Sequence, residues 1–139
     1  MKLINFNFRR ITIEKFEESL DKLKINTKIE IDGIEKIEEN PFLEENTDLV
    51  RIKFTYIIDY NPNIAKIELS GNIILSIDNK ISKGIIEGWA EKKISEDFRI
   101  LIFNLILKKA NIKALELEDQ MNLPTHVPMP TLKKPVKKE

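Results

Sequence analysis

The clearest alternation in the chain runs from residue 49 to residue 60. In "LVRIKFTYIIDY", Val50, Ile52, Phe54, Tyr56, Ile58 and Tyr60 share one face, while Arg51, Lys53, Thr55 and Asp59 share the other. A period of two predicts a strand with one buried and one wet face. The following "NPN" places a proline in a turn position. The next stretch, "IAKIELSGNIILSID", answers with Ile67, Leu69, Ile73, Leu75 and Ile77 opposite Lys66, Glu68, Ser70 and Asn72. Together they predict an antiparallel hairpin.

Earlier segments alternate too, but with breaks. In "LINFNFRRI", Ile4, Phe6 and Phe8 have one parity; Ile11 and Ile13 have the other. One inserted residue near Arg9-Arg10, a β-bulge, restores the register. In "KINTKIEIDGIEKIEE", Ile25, Ile29 and Ile31 fall together, and Gly33 resets the parity before Ile34, which predicts a second bulge. Between these strands "ITIEKFEESLDKLK" changes period. Ile13, Phe16, Leu20 and Leu23 fit one face of a short amphipathic helix. The rival reading is a continued strand and an irregular crossover. "NPFLEENTD" is a loop by composition, with apolar Phe42 and Leu43 inside it.

Helices follow the strands. "SKGIIEGWAEKK" places Ile81, Ile85 and Trp89 on one side, although Gly84 and Gly88 weaken it. "SEDFRILIFNLILKKAN" begins at Ser95, a good N-cap, with Glu96 and Asp97 in its first turn and Lys108 and Lys109 near its end. A break is expected near Asn111. "IKALELEDQMN" then continues as helix until Leu123-Pro124 stops it. Strands first and helices after them predict an α+β fold: a four-stranded antiparallel sheet with helices packed on one face.

One helix stands out. From Phe98 to Leu107 only Arg99 and Asn104 are polar, so the apolar surface covers most of the circumference. One side can rest on the sheet. The other needs cover, from the neighbouring helices and the proline-rich segment or from a second copy of the chain. We expect the second copy, in a dimer or tetramer, with Phe98, Leu101, Ile102, Leu105 and Ile106 at the subunit interface.

Composition narrows the field. At 139 residues, with 42% hydrophobic and 33% charged positions, the chain supports one folded domain, placed at residues 1–132, and a flexible basic tail at 133–139. The absence of cysteine excludes disulfides, thiolate metal sites and cysteine nucleophiles. A formal net charge of zero argues against general nucleic-acid binding. No run approaches the ~20 apolar residues of a membrane span, and "MKLINFNFRR" lacks an apolar signal core. A soluble protein of the cytoplasm, without membrane insertion, is expected.

Candidate chemistry is sparse. His126 is the single histidine, set between prolines in "LPTHVPMP". A metal site needs three or four ligands, and a catalytic histidine needs an orienting partner. Four glycines form neither a dinucleotide fingerprint nor a P-loop. The acidic runs lack the ligand spacing of an EF-hand. No catalytic residue, metal or cofactor is expected, and the chain is read as a non-enzyme. The least favoured alternative is a small-molecule site in a sheet–helix crevice, using Tyr56, Tyr60 and His126. The prolines fix φ and push the residues before them into extended backbone, so "LPTHVPMP" reads as a strap with Leu123, Val127 and Met129 as apolar contacts.

Three passages resemble the bacterial export chaperone SecB and its SecB-like relatives. "FNFRRITIEKFEE" is similar to the family's first strand. "IAKIELSGNIILSID" is similar to the fourth, with a glycine before an apolar-Ser-Ile step. "FRILIFNLILKKANIKALELEDQMNLPTHVPMP" is similar to the long helix that ends in an extended Leu/Pro segment. The resemblance implies a tetramer built as a dimer of dimers. It also implies a holdase for unfolded polypeptide clients, serving protein export, with apolar grooves along the crossover and beside the helices. Carried onto this chain, those grooves take Phe16, Leu20, Leu23, Leu123, Val127 and Met129. Two departures stand out: the export chaperones are strongly acidic with an acidic tail, whereas this chain is neutral with a lysine-rich one. No acidic motor-docking residues are therefore carried over. The competing reading is a non-catalytic structural or assembly protein that shares the fold without chaperone activity.

Overall fold

Two central strands hold most of the core in a computed structural model of the chain, which describes residues 1–17, 22–38 and 46–135. Strands β3 (Thr47–Asn61) and β4 (Ala65–Asp78) form the expected hairpin, paired without a register shift from Thr47↔Asp78 to Tyr60↔Ala65. Its turn contains a cis Asn61-Pro62 bond and a left-handed Asn63, and is closed by Ile64 N donating to Tyr60 O at 2.8 Å. The eleven inward residues foreseen on these strands are each at most 1% exposed. Alternation therefore assigns both faces correctly where a strand is central.

Strands β1 (Lys2–Lys15) and β2 (Lys24–Ile37) add to the two edges, giving the antiparallel order β1-β4-β3-β2. Consecutive strands thus lie on opposite edges, about three strand spacings or ~14 Å apart. The helix expected from Ile13 gives way here to the rival reading at its start. Ile13 stays in β1 opposite Ile67, and the backbone N–H groups of Phe16 and Glu17 both donate to Ile64 O, at 2.7 and 3.2 Å. Ile13 satisfies a period of two with Ile11 as well as a helical one with Phe16, and the open edge of β4 offers the strand a hydrogen-bond ladder. Leu20, Phe42 and Leu43 lie outside the described residues.

The bulges appear where parity placed them, between Phe8 and Arg10 and between Ile31 and Gly33. A third, between Leu3 and Asn5, was not foreseen; it takes Ile4 off the inward set and leaves it exposed. Phe8, Gly71, Phe54 and Ile31 form one row across all four strands. The two extra residues, Arg9 and Asp32, therefore flank the same level of the sheet. Gly71 permits the close approach there: a Cβ on it would lie 2.2 Å from Asn7 O and 2.9 Å from Phe8 Cα.

Helices α1 (Asn79–Ala90) and α2 (Glu96–Gln120) cover the inward face. Ser95 caps α2 as expected, its hydroxyl accepting from Phe98 N at 3.3 Å, and Asp78 caps α1, accepting from Lys80 N at 2.9 Å. Helix α1 turns Ser82, Ile85, Ile86 and Trp89 toward the core, whereas Ile81, expected on that side, is exposed. Helix α2 passes through Asn111 without the expected break. The Asn111 side chain is engaged by the Tyr56 hydroxyl, which donates to Oδ1 at 2.9 Å, so it does not compete for the helix backbone.

Every fourth residue of α2, from Phe98 through Ile102, Ile106, Ala110 and Ala114 to Glu118, is buried. The step from isoleucine to alanine comes in the half of the helix where the Tyr56 and Tyr60 hydroxyls reach Asn111 and Glu118. This row corrects the interface assignment. Phe98, Ile102 and Ile106 are covered by the chain's own sheet and leave nothing for a partner to bury. Leu101 is exposed and Leu105 half-buried, and the outer side of α2 also shows Ile100 and Ile112 to solvent.

Candidate functional site

The last turn of α2 organises the strap. Asn122 takes a left-handed φ of 53°, Asn122 N donates to Asp119 O at 3.4 Å and Leu123 N donates to Glu118 O at 2.9 Å. This pair of bonds reverses the chain at a helix C-terminus and normally buries the second residue past the cap. That residue is Leu123, which is buried. Pro124 then forbids more helix, and the chain doubles back over α2.

It is fastened there by polar groups. His126 Nδ1 lies 2.9 Å from Glu118 Oε1, and Nε2 lies 2.9 Å from Asn111 Oδ1 and 3.0 Å from the Tyr56 hydroxyl. The Tyr60 hydroxyl donates to Glu118 Oε2, and the Pro124 carbonyl stands 2.9 Å away as a second acceptor. The His126 and Glu118 side chains are 2% and 0% exposed. Burial, and then the Glu118 carboxylate, pushes both phenols far above their ordinary range. Every polar group of the cluster thus has a partner, as burial demands. The three residues weighed for a small-molecule site do converge, but on one another and on Glu118 and Asn111, with both tyrosines, Glu118 and the His126 side chain buried. Chemically the cluster is a clasp: it holds an extended segment against the end of a helix. Among the described residues, no group of three or more His, Asp or Glu side chains is placed to hold a metal ion.

No protein-family model matches the chain, and no curated protein matches it in sequence. A solved structure does match in fold. It is a SecB-like chaperone of Mycobacterium tuberculosis in complex with a ChAD peptide from the HigA1 antitoxin, with a TM-score of 0.52 and 12% identity. The match covers 97% of this chain and 92% of that one. The chain has a SecB-like fold.

Within this SecB-like fold, the six residues assigned to client grooves are placed unequally. Phe16 stands at the start of the crossover, 46% exposed, and Leu23 at its end is half-buried. Leu123 belongs to the core, Val127 is half-buried and Met129 is 51% exposed; Leu20 lies outside the described residues. The crossover and the strap begin at the same end of the sheet. Phe16 N is bonded to Ile64 beside the hairpin turn, Tyr60 before that turn reaches Pro124, and Lys15 Nζ donates to Met121 O at 3.3 Å. Reading the sequence missed Glu118 and Asn111. The usable signal was the spacing itself: a glutamate and an asparagine in the inward half of an apolar helix must meet polar partners, and His126 is near in sequence. No helix among the described residues is long and apolar enough to cross a membrane.

Proposed function

We propose that this protein is a SecB-like holdase, a non-enzymatic chaperone of the cytoplasm that binds apolar stretches of unfolded polypeptides. One observation carries the reading: the fold matches a peptide-bound SecB-like chaperone over nearly its whole length. Apolar side chains left uncovered beside the strap support it. Phe16, Leu23, Val127 and Met129 are the residues of the proposed client surface; Leu123 supports it from beneath. The outer side of α2, with Leu101 and Ile112, is the proposed subunit contact in a dimer or tetramer. A role in protein export follows only from the family resemblance.

Aggregation of a denatured unrelated protein, followed by light scattering without ATP, tests the proposal. The intact protein should slow it near one oligomer per client. Met129→Ser combined with Phe16→Ser should weaken that protection while the thermal melt stays unchanged. If the parent protein leaves aggregation unaltered across several clients, the structural or assembly reading replaces this one.

A further inference from the structure

The helix-free face of the sheet carries a cleft of about 560 Å³. It lies at the bulged row, with Arg9 of β1 and Asp32 of β2 among its lining residues. Bulges increase local twist and bend the strand that carries them. Two of them on one row draw the edge strands out of the plane and hollow the face between.

Its charged lining is three cations, Arg9, Arg51 and Lys53, against one carboxylate, Asp32. Asp32 is engaged, since the Thr55 hydroxyl donates to it at 2.5 Å. Arg51 Nη1 donates to Glu35 at 2.8 Å, and Lys53 Nζ lies 3.7 Å from the same oxygen, all three side chains being well exposed. Exposed pairs of this kind hold weakly, so a better-placed carboxylate competes easily. Arg9 makes no ion pair or hydrogen bond with any described residue. Ser70 and Asn72 of β4 lie in the lining between the two positive walls.

The spacing selects the ligand. β1 and β3 are separated by β4, so their backbones are about 9.6 Å apart and the positive charge sits in two places. One small oxyanion offers a single point of negative charge between two positive walls. An extended chain with acidic residues at alternate positions presents carboxylates ~6.8 Å apart on one side, which suits both walls given the reach of arginine and lysine.

We propose that this cleft docks an acidic polypeptide segment, with one carboxylate on Arg9 and another, two residues away, on Arg51 and Lys53. The occupant is chosen by charge complementarity and by the two-point spacing. The site is on the face opposite α1, α2 and the strap, and does not depend on the holdase reading.

The test is fluorescence anisotropy of a labelled peptide of alternating glutamate and glycine, with a glutamine-for-glutamate peptide as control, at low and at physiological salt. The glutamate peptide should bind at low salt and weaken with added salt, and the control should not bind. Arg9→Ser should lose about fivefold or more in affinity, as for one charge-assisted contact, and Arg9→Lys less. Glu35→Gln should tighten binding by releasing Arg51 and Lys53. Arg9→Ser should melt like the parent and protect clients equally, which separates this site from the proposed client surface. Equal binding of the two peptides, no binding at all, or full affinity in Arg9→Ser overturns the proposal. Complete displacement by millimolar inorganic phosphate also overturns it, in favour of a lone oxyanion site.

Discussion

Replacing Glu118 with alanine should be among the most damaging single changes in this protein. The carboxylate receives His126 Nδ1 at 2.9 Å and the Tyr60 hydroxyl, and is itself 0% exposed. Its removal leaves His126 Nδ1 without its acceptor, at about 1–3 kcal/mol, and the Tyr60 hydroxyl with the Pro124 carbonyl alone. With the cavity left by the side chain the total is about 3–5 kcal/mol. That is a large part of the roughly 5–15 kcal/mol that holds a domain of this kind together. At about 3–4 °C per kcal/mol for this size, the melting temperature should fall by ~10–15 °C. The assay is thermal and urea unfolding by circular dichroism, at fixed protein concentration because self-association would move the midpoint. A paired replacement, Glu118→Met with His126→Leu, should recover most of the loss. Tyr60 then keeps the Pro124 carbonyl and Tyr56 keeps Asn111, each at 2.9 Å. Additive penalties in that cycle, or a shift below about 3 °C for Glu118→Ala, would show that the clasp contributes little and that the strap is held by Leu123 alone.

Four further outcomes are expected. Gly71→Ala should cost at least about 1–3 kcal/mol in urea unfolding, because its Cβ would lie 2.2 Å from the Asn7 carbonyl oxygen. Leu101→Glu with Ile112→Glu should reduce the mass seen by light scattering while barely changing monomer stability, since these side chains are 41% and 65% exposed within the chain. Deleting residues 133–139 should leave the melting temperature unchanged within error. Tyr60 has its phenol raised in the folded state, chiefly by burial and then by Glu118. Its contribution is therefore complete below the unfolded value of about 10 and is lost as pH climbs from there, so Tyr60→Phe should flatten the alkaline fall in stability.

Much of the sheet was legible because alternation has a single meaning in a central strand. The hairpin of β3 and β4 obeys it residue by residue, and parity changes located the bulges at Arg9 and near Gly33. The third bulge was missed because it lies so close to the chain start that Leu3 alone marks the change of face. The start of the crossover was misread because Ile13 and Phe16 suit a helix as well as a strand end, and the free edge of β4 decides between them there. In α2 the sequence showed apolar residues all round but not which side meets the sheet. That choice depends on where the tyrosines of β3 reach the helix, Tyr56 at Asn111 and Tyr60 at Glu118, which is a matter of packing rather than periodicity. His126 was read as a lone histidine between prolines. Its partners were hidden because Glu118 looks like any charged residue of a helix until the strap folds back onto it.

The strand order has a consequence for how the chain is made. Of the four strands β1 is made first, yet among the described residues its partner is β4: Lys15 meets Ala65 and Lys2 meets Ser76. Its partner is therefore synthesised roughly 50–75 residues later, which at ~5–20 residues per second is a delay on the order of 3–15 s. During that interval an alternating strand carrying Phe6, Phe8, Ile11 and Ile13 has no native edge to join. β3 and β4, by contrast, are neighbours in sequence and close over a short turn as soon as both are out. The nascent chain must keep its own first strand from sticking to other polypeptides until its fourth appears, so for those seconds it presents the kind of segment that a holdase protects.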